Sequence, residues 1–223
     1  MKQETKVFKE NLIIQAAETV FRKMGFKNAK MEEIAFEAGI TKVTLYTYFQ
    51  SKENLYMALT YKAFHRLLDG YYASIEKNKH KSGLESSLAL METSMNFFAN
   101  NFLYSEALLD YFNTVRSSDS GQNKSKLTEA INQSLYFNKL QDIHNLPFKL
   151  NFKEIERGKQ DGSILSQLDS MLITLQGWSM VTGFAKILSA SGNTVKPLFN
   201  IDLNELKNIT LITGKALLLE KGK

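Results

Sequence analysis

Proline occupies only two of the 223 positions, Pro147 and Pro197, and that scarcity does most to limit the folds open to this chain. A proline inside a helix removes a hydrogen bond and clashes with the preceding turn, so long stretches without one permit unbroken helices. The apolar residues use that freedom. Leu12, Ile13, Ala16, Ala17, Val20, Phe21 and Met24 recur three and four apart within residues 4–25, the spacing of an amphipathic helix. Gly25 is expected to end it. From Ser51-Lys52-Glu53 a second long helix follows, with Leu55, Ala58, Leu59, Phe64, Leu67 and Leu68 repeating and helical character persisting to about Lys77. No period-two alternation marks a strand, and the chain reads as all-α.

The rest divides at its polar and glycine-containing stretches. Lys77–Gly83 reads as a connection, and Ser117–Lys126 as the clearest loop. Helices are expected over Leu84–Asn101, Phe102–Arg116, Leu127–His144 and Phe148–Lys159, with Leu146-Pro147 as punctuation and Asp161-Gly162-Ser163 as a turn. The last two helices fall at Gln167–Ser189 and Leu203–Leu219, joined through Gly192 and Pro197. Their apolar faces are wide, and Gly177, Gly183 and Gly214 permit close approach of neighbouring helices. Faces this apolar need covering. Packing within the chain is one solution; a four-helix bundle built from two copies of the pair, giving a twofold dimer, is the other.

Between the first two long helices lies the stretch richest in function. Met31–Ala38 reads as a short helix, Gly39 makes a turn, and Thr41 offers a hydroxyl to the free amides of a second short helix. Leu45 and Phe49, four apart, point inward, leaving Lys42, Thr44, Tyr46, Thr47 and Tyr48 as donors and rings on the remaining surface. Two short helices joined by a glycine turn form a helix-turn-helix, whose second helix enters a DNA major groove.

Ile13-Ile14-Gln15-Ala16-Ala17, Phe21, Gly25-Phe26, Ile34-Ala35, Ala38-Gly39-Ile40 and Leu45-Tyr46-Thr47-Tyr48-Phe49-Gln50-Ser51-Lys52-Glu53 together resemble the TetR family of transcriptional repressors. The resemblance covers roughly residues 10–57, about a quarter of the chain. It implies a helix-turn-helix DNA-binding domain over 1–51 and a larger helical body for effector binding and dimerisation over 52–223. The partners it implies are a double-stranded DNA operator, a second copy through the two C-terminal helices, and a small lipophilic or aromatic effector that releases the DNA. Three positions depart from the family pattern. Val43 stands where Gly or Pro is frequent, changing how closely that turn approaches the sugar-phosphate chain, and Ala29-Lys30 replace a Thr/Ser pair that would cap the next helix. Glu33 remains to favour that helix start through the dipole.

On this reading Thr44, Tyr46 and Lys52 clamp phosphates, while Lys42 and Thr47 face base edges: a lysine donates to guanine acceptors, and a threonine methyl touches a thymine methyl. Tyr48 suits either role, or packs partly into the core with its hydroxyl outward. For the effector, the aromatic and Met-rich body offers Met95, Phe98, Tyr111, Phe112 and Trp178, with Arg116 as a charge for an acidic ligand or simply a surface residue.

Composition narrows the alternatives. There is no cysteine, which excludes disulfides and thiolate metal sites. His65, His80 and His144 are scattered without metal-ligand spacing, and no phosphate loop or nucleophile elbow is complete, so no cofactor, metal or catalytic residue is expected. The net charge is +5, and residues 1–56 hold nine Lys/Arg against seven Glu, a small surplus; more telling, Ala38–Lys52 carries two lysines and no acid. Lys2, Lys6 and Lys9 reach toward DNA or belong to a frayed terminus. The N-terminal residues lack the apolar run of a signal peptide, and Met171–Ala185 reads as too short and too interrupted to span a bilayer, so a cytoplasmic protein with no membrane contact is expected. Two other readings stay open: a DNA-binding regulator whose body binds a protein, and an α-helical enzyme or binding protein with a chance head motif.

Overall fold

A computed structural model of the chain describes residues 2–119, 128–191 and 201–220, leaving aside the side chains of residues 2–5 and 115–119. Eleven helices occur among the described residues: α1 (Lys2–Asn28), α2 (Met31–Glu37), α3 (Lys42–Tyr48), α4 (Lys52–Asn78), α5 (Gly83–Asn100), α6 (Phe102–Asp119), α7 (Glu129–Asn132), α8 (Leu135–Ile143), α9 (Leu146–Gln160), α10 (Ser170–Ala190) and α11 (Leu203–Leu219). The all-α expectation holds, and most boundaries fall within a residue or two of those read from periodicity. Three details differ. Leu127–His144 is not one helix: Thr128 caps the single turn of α7, and α8 starts afresh after Ser134. Pro147 does not precede α9 but sits in its first turn, where its missing N–H costs nothing. Residues 117–119 extend α6, while the remainder of the expected Ser117–Lys126 loop and the Gly192–Pro197 connection lie outside the described residues.

The chain packs as two compact units: Met1–Phe64 with Glu106–Ile143, and His65–Ser105 with His144–Lys223. These units do not divide at residue 52: the first half of α4 and the 106–143 segment group with the N-terminal helices.

In the first unit, Ile13, Ala17 and Phe21 of α1, Ile34 of α2, Leu45 of α3 and Leu55 and Leu59 of α4 are fully buried. Their burial explains why two seven-residue helices, too short to persist alone, hold a fixed geometry. Gly25 breaks α1 with a φ of 74°, a left-handed conformation that a side chain resists. The break turns Phe26 back against Phe21 and Tyr56, with ring centroids 5.7 and 4.4 Å away.

In the second unit α5 packs on α9, α10 and α11, and α10 packs on α9 and α11. Gly83 and Gly158 mark the crossing of α5 with α9, where a side chain on Gly83 would collide with the Gly158 backbone. The Asp161 turn closes this end: its carboxylate accepts from the Gly83 and Ser163 amides at 2.7 and 2.9 Å, and Ser163 Oγ accepts from the Leu84 amide at 3.1 Å. These bonds satisfy amides that the start of a helix leaves without partners. Of the three glycines expected to permit close approach, Gly214 does so within the chain: a Cβ there would lie 2.8 Å from the Met91 sulfur. Gly177 and Gly183 meet nothing within 4 Å. At 21 residues, α10 is longer than the Met171–Ala185 stretch suggested and reaches the length of a membrane span. Its Ile173, Val181, Phe184, Ala185 and Leu188 are buried, while Met171, Leu172, Leu175 and Ile187 are exposed.

Candidate functional site

The helix-turn-helix is assembled from local signals. Lys30 precedes α2 without a capping side-chain hydrogen bond, and the Glu33 carboxylate accepts from the Lys30 amide at 2.9 Å, the reciprocal half of a capping box. Gly39 turns the chain at φ 65°. Thr41 then caps α3, its Oγ1 accepting from the Thr44 amide at 3.2 Å and lying 2.9 Å from Thr44 Oγ1. Leu45 and Phe49 are 0% and 3% exposed, whereas Val43 is 77% and Tyr46 40% exposed. Lys42, Val43, Tyr46 and Thr47, at i, i+1, i+4 and i+5, form one solvent-facing surface opposite the buried anchor.

Each expected DNA-contacting residue has a definite place. Thr47 donates its hydroxyl to the Thr44 carbonyl at 2.7 Å, which turns the methyl and the oxygen lone pairs to a partner outside. Thr44 is half-buried, and one of the Thr41 and Thr44 hydroxyls donates to the other, which leaves the pair one hydroxyl proton unspent in that contact. Tyr48 is half-buried and Tyr46 exposed. Lys42 pairs with Glu32 of α2, with its ammonium 5.9 Å from the Tyr46 ring centroid. This pair lowers the Glu32 carboxyl and raises the Lys42 ammonium from their ordinary values, chiefly through their mutual hydrogen bond. The surface is therefore less cationic than Ala38–Lys52 alone implied, because α2 brings an acid to it. Periodicity gave no signal for that pairing, since ten residues separate the partners. Phe36 of α2, 88% exposed, is a further apolar side chain beside the turn that sequence reasoning passed over.

Lys52 differs most from expectation. Its ammonium donates to the carbonyls of Phe26, Lys27 and Ala29 at 2.7, 3.1 and 3.0 Å, and lies 4.7 Å from the centre of the Phe26 ring. An ammonium has three N–H donors, and all three are spent on the chain leaving α1. Lys52 acts here as a clip joining the end of α1 to the start of α4, a correction to the phosphate clamp. A cation also suits the carbonyl-rich end of a helix.

The second unit contains a cavity of about 50 Å³, walled by α4, α5, α9, α10 and α11. Of the expected effector residues, only Trp178 lines it. Met95 and Phe98 are core residues of the same unit, 0% and 2% exposed. Tyr111 and Phe112 belong to the first unit, where both pack edge-on against Phe64. The Arg116 side chain lies outside the described residues. The walls are instead made by Tyr71, Ser87, Met91, Ser94, Asn151, Ile173, Thr174, Gly177, Met180 and others. Rings in the sequence do not mark the cavity, whose wall includes small residues that leave space, such as Gly177.

These features define a helix-turn-helix protein with a helical body that lines a small cavity. Comparison with known proteins carries the assignment further. Residues 13–59, the head of the chain, match the bacterial regulatory proteins of the tetR family. HTH-type transcriptional regulator RutR of Escherichia coli (strain K12) is 43% identical over 51 residues, which are 23% of this chain and 24% of RutR. The chain thus matches about a quarter of that relative's length. A TetR/AcrR-family transcriptional regulator from Thermobifida fusca superposes with a TM-score of 0.70 at 16% identity, covering 92% of this chain and 96% of its own. The transcriptional regulator FadR from Bacillus subtilis, solved with stearoyl-CoA, gives a TM-score of 0.62 at 18% identity, with 92% and 97% covered. At these identities the structural likeness establishes the fold of the body and not its ligand.

Proposed function

We propose that the chain is a dimeric, sequence-specific DNA-binding regulator of transcription, a repressor released from its operator by a small molecule held in the second unit. The observation that carries the reading is the division of α3: Leu45 and Phe49 bury completely while Lys42, Val43, Tyr46 and Thr47 face out. A helix held from behind with polar side chains outward suits insertion into a major groove. Lys42 and Thr47 read base edges; Tyr46, Tyr48 and the Thr41–Thr44 hydroxyl pair hold the phosphate backbone. Val43, nearly bare, offers a methyl surface to sugars or to a thymine methyl.

The dimer follows from what α10 and α11 leave uncovered. Met171, Leu172, Leu175 and Ile187 of α10 are 38–54% exposed, and Ile209 and Ile212 of α11 59% and 62%. A second copy covers both helices at once, and a twofold axis presents two recognition helices to successive major grooves about 34–36 Å apart. Small-molecule control is supported by the cavity and by the acyl-CoA bound in the FadR neighbour. An effector shifts the balance between DNA-bound and free states by no more than its difference in affinity for the two. α4 is one 27-residue helix whose first half packs in the head unit and whose second half lines the cavity at Tyr71. It is the continuous element through which a change at the cavity reaches the head. A regulator of this kind works where the DNA is, in the bacterial cytoplasm.

The test is binding of purified protein to DNA from the upstream region of its own gene against unrelated DNA of equal length, at 50 and 200 mM salt. Preferential binding that weakens by orders of magnitude with salt, that Thr47→Ala reduces on the preferred DNA alone, and that Lys42→Ala reduces more on the preferred DNA than on the unrelated DNA, supports the reading. Equal affinity for all DNA, insensitive to both substitutions, refutes it.

A further inference from the structure

We propose that the cavity of the second unit is built for a small uncharged molecule bearing one hydroxyl or carbonyl group, which bonds to Ser87 Oγ, and that it excludes carboxylates, amines and acyl-CoA esters. The proposal rests on the effector reading above and names the class of effector.

Ser87, on α5, is 6% exposed, lines the cavity, and its hydroxyl has no hydrogen-bond partner among the described residues. A buried polar atom left unpaired is costly and uncommon in a folded protein. An incoming oxygen satisfies it as donor or acceptor. The other polar groups on the wall are already engaged in a directed chain. Ser94 Oγ donates to the Leu90 carbonyl at 3.0 Å, so the Tyr71 hydroxyl, 2.6 Å away, donates to Ser94 and accepts from Asn151 Nδ2 at 3.3 Å. Thr174 donates to the Ser170 carbonyl at 2.8 Å. Among the described hydroxyls on the wall, those of Tyr71, Ser94 and Thr174 are bonded and that of Ser87 is not.

Charge decides the class. No carboxylate, ammonium, guanidinium or imidazole is among the described residues lining the cavity. Tyr71 stays a neutral phenol because burial raises its pKa. An ion entering this space loses its hydration with nothing to replace it. Size agrees. A cavity of about 50 Å³ holds a few heavy atoms and falls well short of the roughly 300–1,000 Å³ of sites for drug-sized ligands, so an eighteen-carbon chain does not fit. Met91 and Met180, the adaptable parts of the wall, give room for a compact ring.

Trp178 lines the cavity and is the only tryptophan in the chain, so its emission reports occupancy directly. The full-length protein is titrated with cyclopentanol, cyclopentylammonium and cyclopentanecarboxylate, one shape in three charge states, and with stearoyl-CoA. The expected result is a saturable change in Trp178 emission with cyclopentanol, with the three charged probes at least about a hundredfold weaker. Ser87→Ala should weaken cyclopentanol by roughly three- to tenfold, the worth of one hydrogen bond, without lowering the stability of the free protein, because the variant removes an unpaired group. Equal or tighter binding of a charged probe overturns the proposed class and leaves the body a ligand-binding unit. Unchanged cyclopentanol affinity in Ser87→Ala also overturns it. Failure of every probe to bind overturns it together with the small-molecule reading of the body.

Discussion

Replacing Lys52 with Met separates two roles that sequence alone assigned to one residue. The substitution keeps most of the side-chain stem and removes the ammonium, leaving the Phe26, Lys27 and Ala29 carbonyls without their donor and the Phe26 ring without its cation. A hydrogen bond to a charged group contributes about 1.5–3 kcal/mol net. The three here share one half-exposed ammonium, and water replaces part of what is lost, so the sum is well below three such bonds. A loss of about 2–3 kcal/mol in the first unit is expected, a urea midpoint lower by roughly 1 M at an m value near 2 kcal/mol/M. The chain carries its own control, because Trp178 lies in the second unit. Far-UV circular dichroism should show an early loss of helix in Lys52→Met, while the Trp178 fluorescence transition stays close to wild type. An unchanged dichroism midpoint, with DNA affinity reduced on all sequences and a salt slope shallower by about one, would refute the clip and restore the phosphate contact.

The other predictions concern charge and packing. Glu32→Gln frees Lys42 from its partner and removes an acid from beside the exposed surface of α3; affinity for nonspecific DNA should rise about two- to fivefold at low salt, and a fall would contradict the proposed placement. Asp161 has its pKa lowered, mainly by the Ser163 hydrogen bond and then by the Gly83 amide. A group depressed in the folded state stabilises it above its unfolded pKa of about 3.9 and loses that contribution as pH falls through the folded value. Asp161→Asn should therefore lower stability near neutrality and flatten the acid limb of an unfolding-versus-pH curve for the Trp178 transition. Ile209→Asp with Ile212→Asp puts two charges on the exposed face of α11; sedimentation should show a dimer becoming a monomer, whereas an unchanged species would place the interface elsewhere.

What was legible in the sequence was what local chemistry decides. The Leu45–Phe49 anchor, the Thr41 cap and the Gly39 turn are each fixed by residues a few positions apart, and each appears as read. α11 matched from Leu203 to Leu219 because Asp202 caps a clean periodic run. The misreadings involve distance along the chain. Lys52 finds its carbonyls some two dozen residues upstream, brought there by the break at Gly25, and from sequence it was simply a cation at a helix start. Glu32 and Lys42 meet because α2 and α3 pack together. The cavity was sought among the largest side chains, but Met95 and Phe98 fill space, and a cavity survives where Gly177 has nothing within 4 Å and Ser87 is too small to reach a partner. Emptiness has no residue signature; it depends on five helices failing to fill one point.

In the proposed function α3 reads DNA sequence as half of a twofold pair. Selection of binding sites from a random-sequence duplex library by the purified protein tests it most directly. An enriched palindrome is expected, with half-site centres separated by about one turn of DNA, roughly 10 base pairs, and with base preferences that change in Thr47→Ala and Lys42→Ala. A library that yields no enriched sequence, or one whose preferences ignore both substitutions, would contradict it.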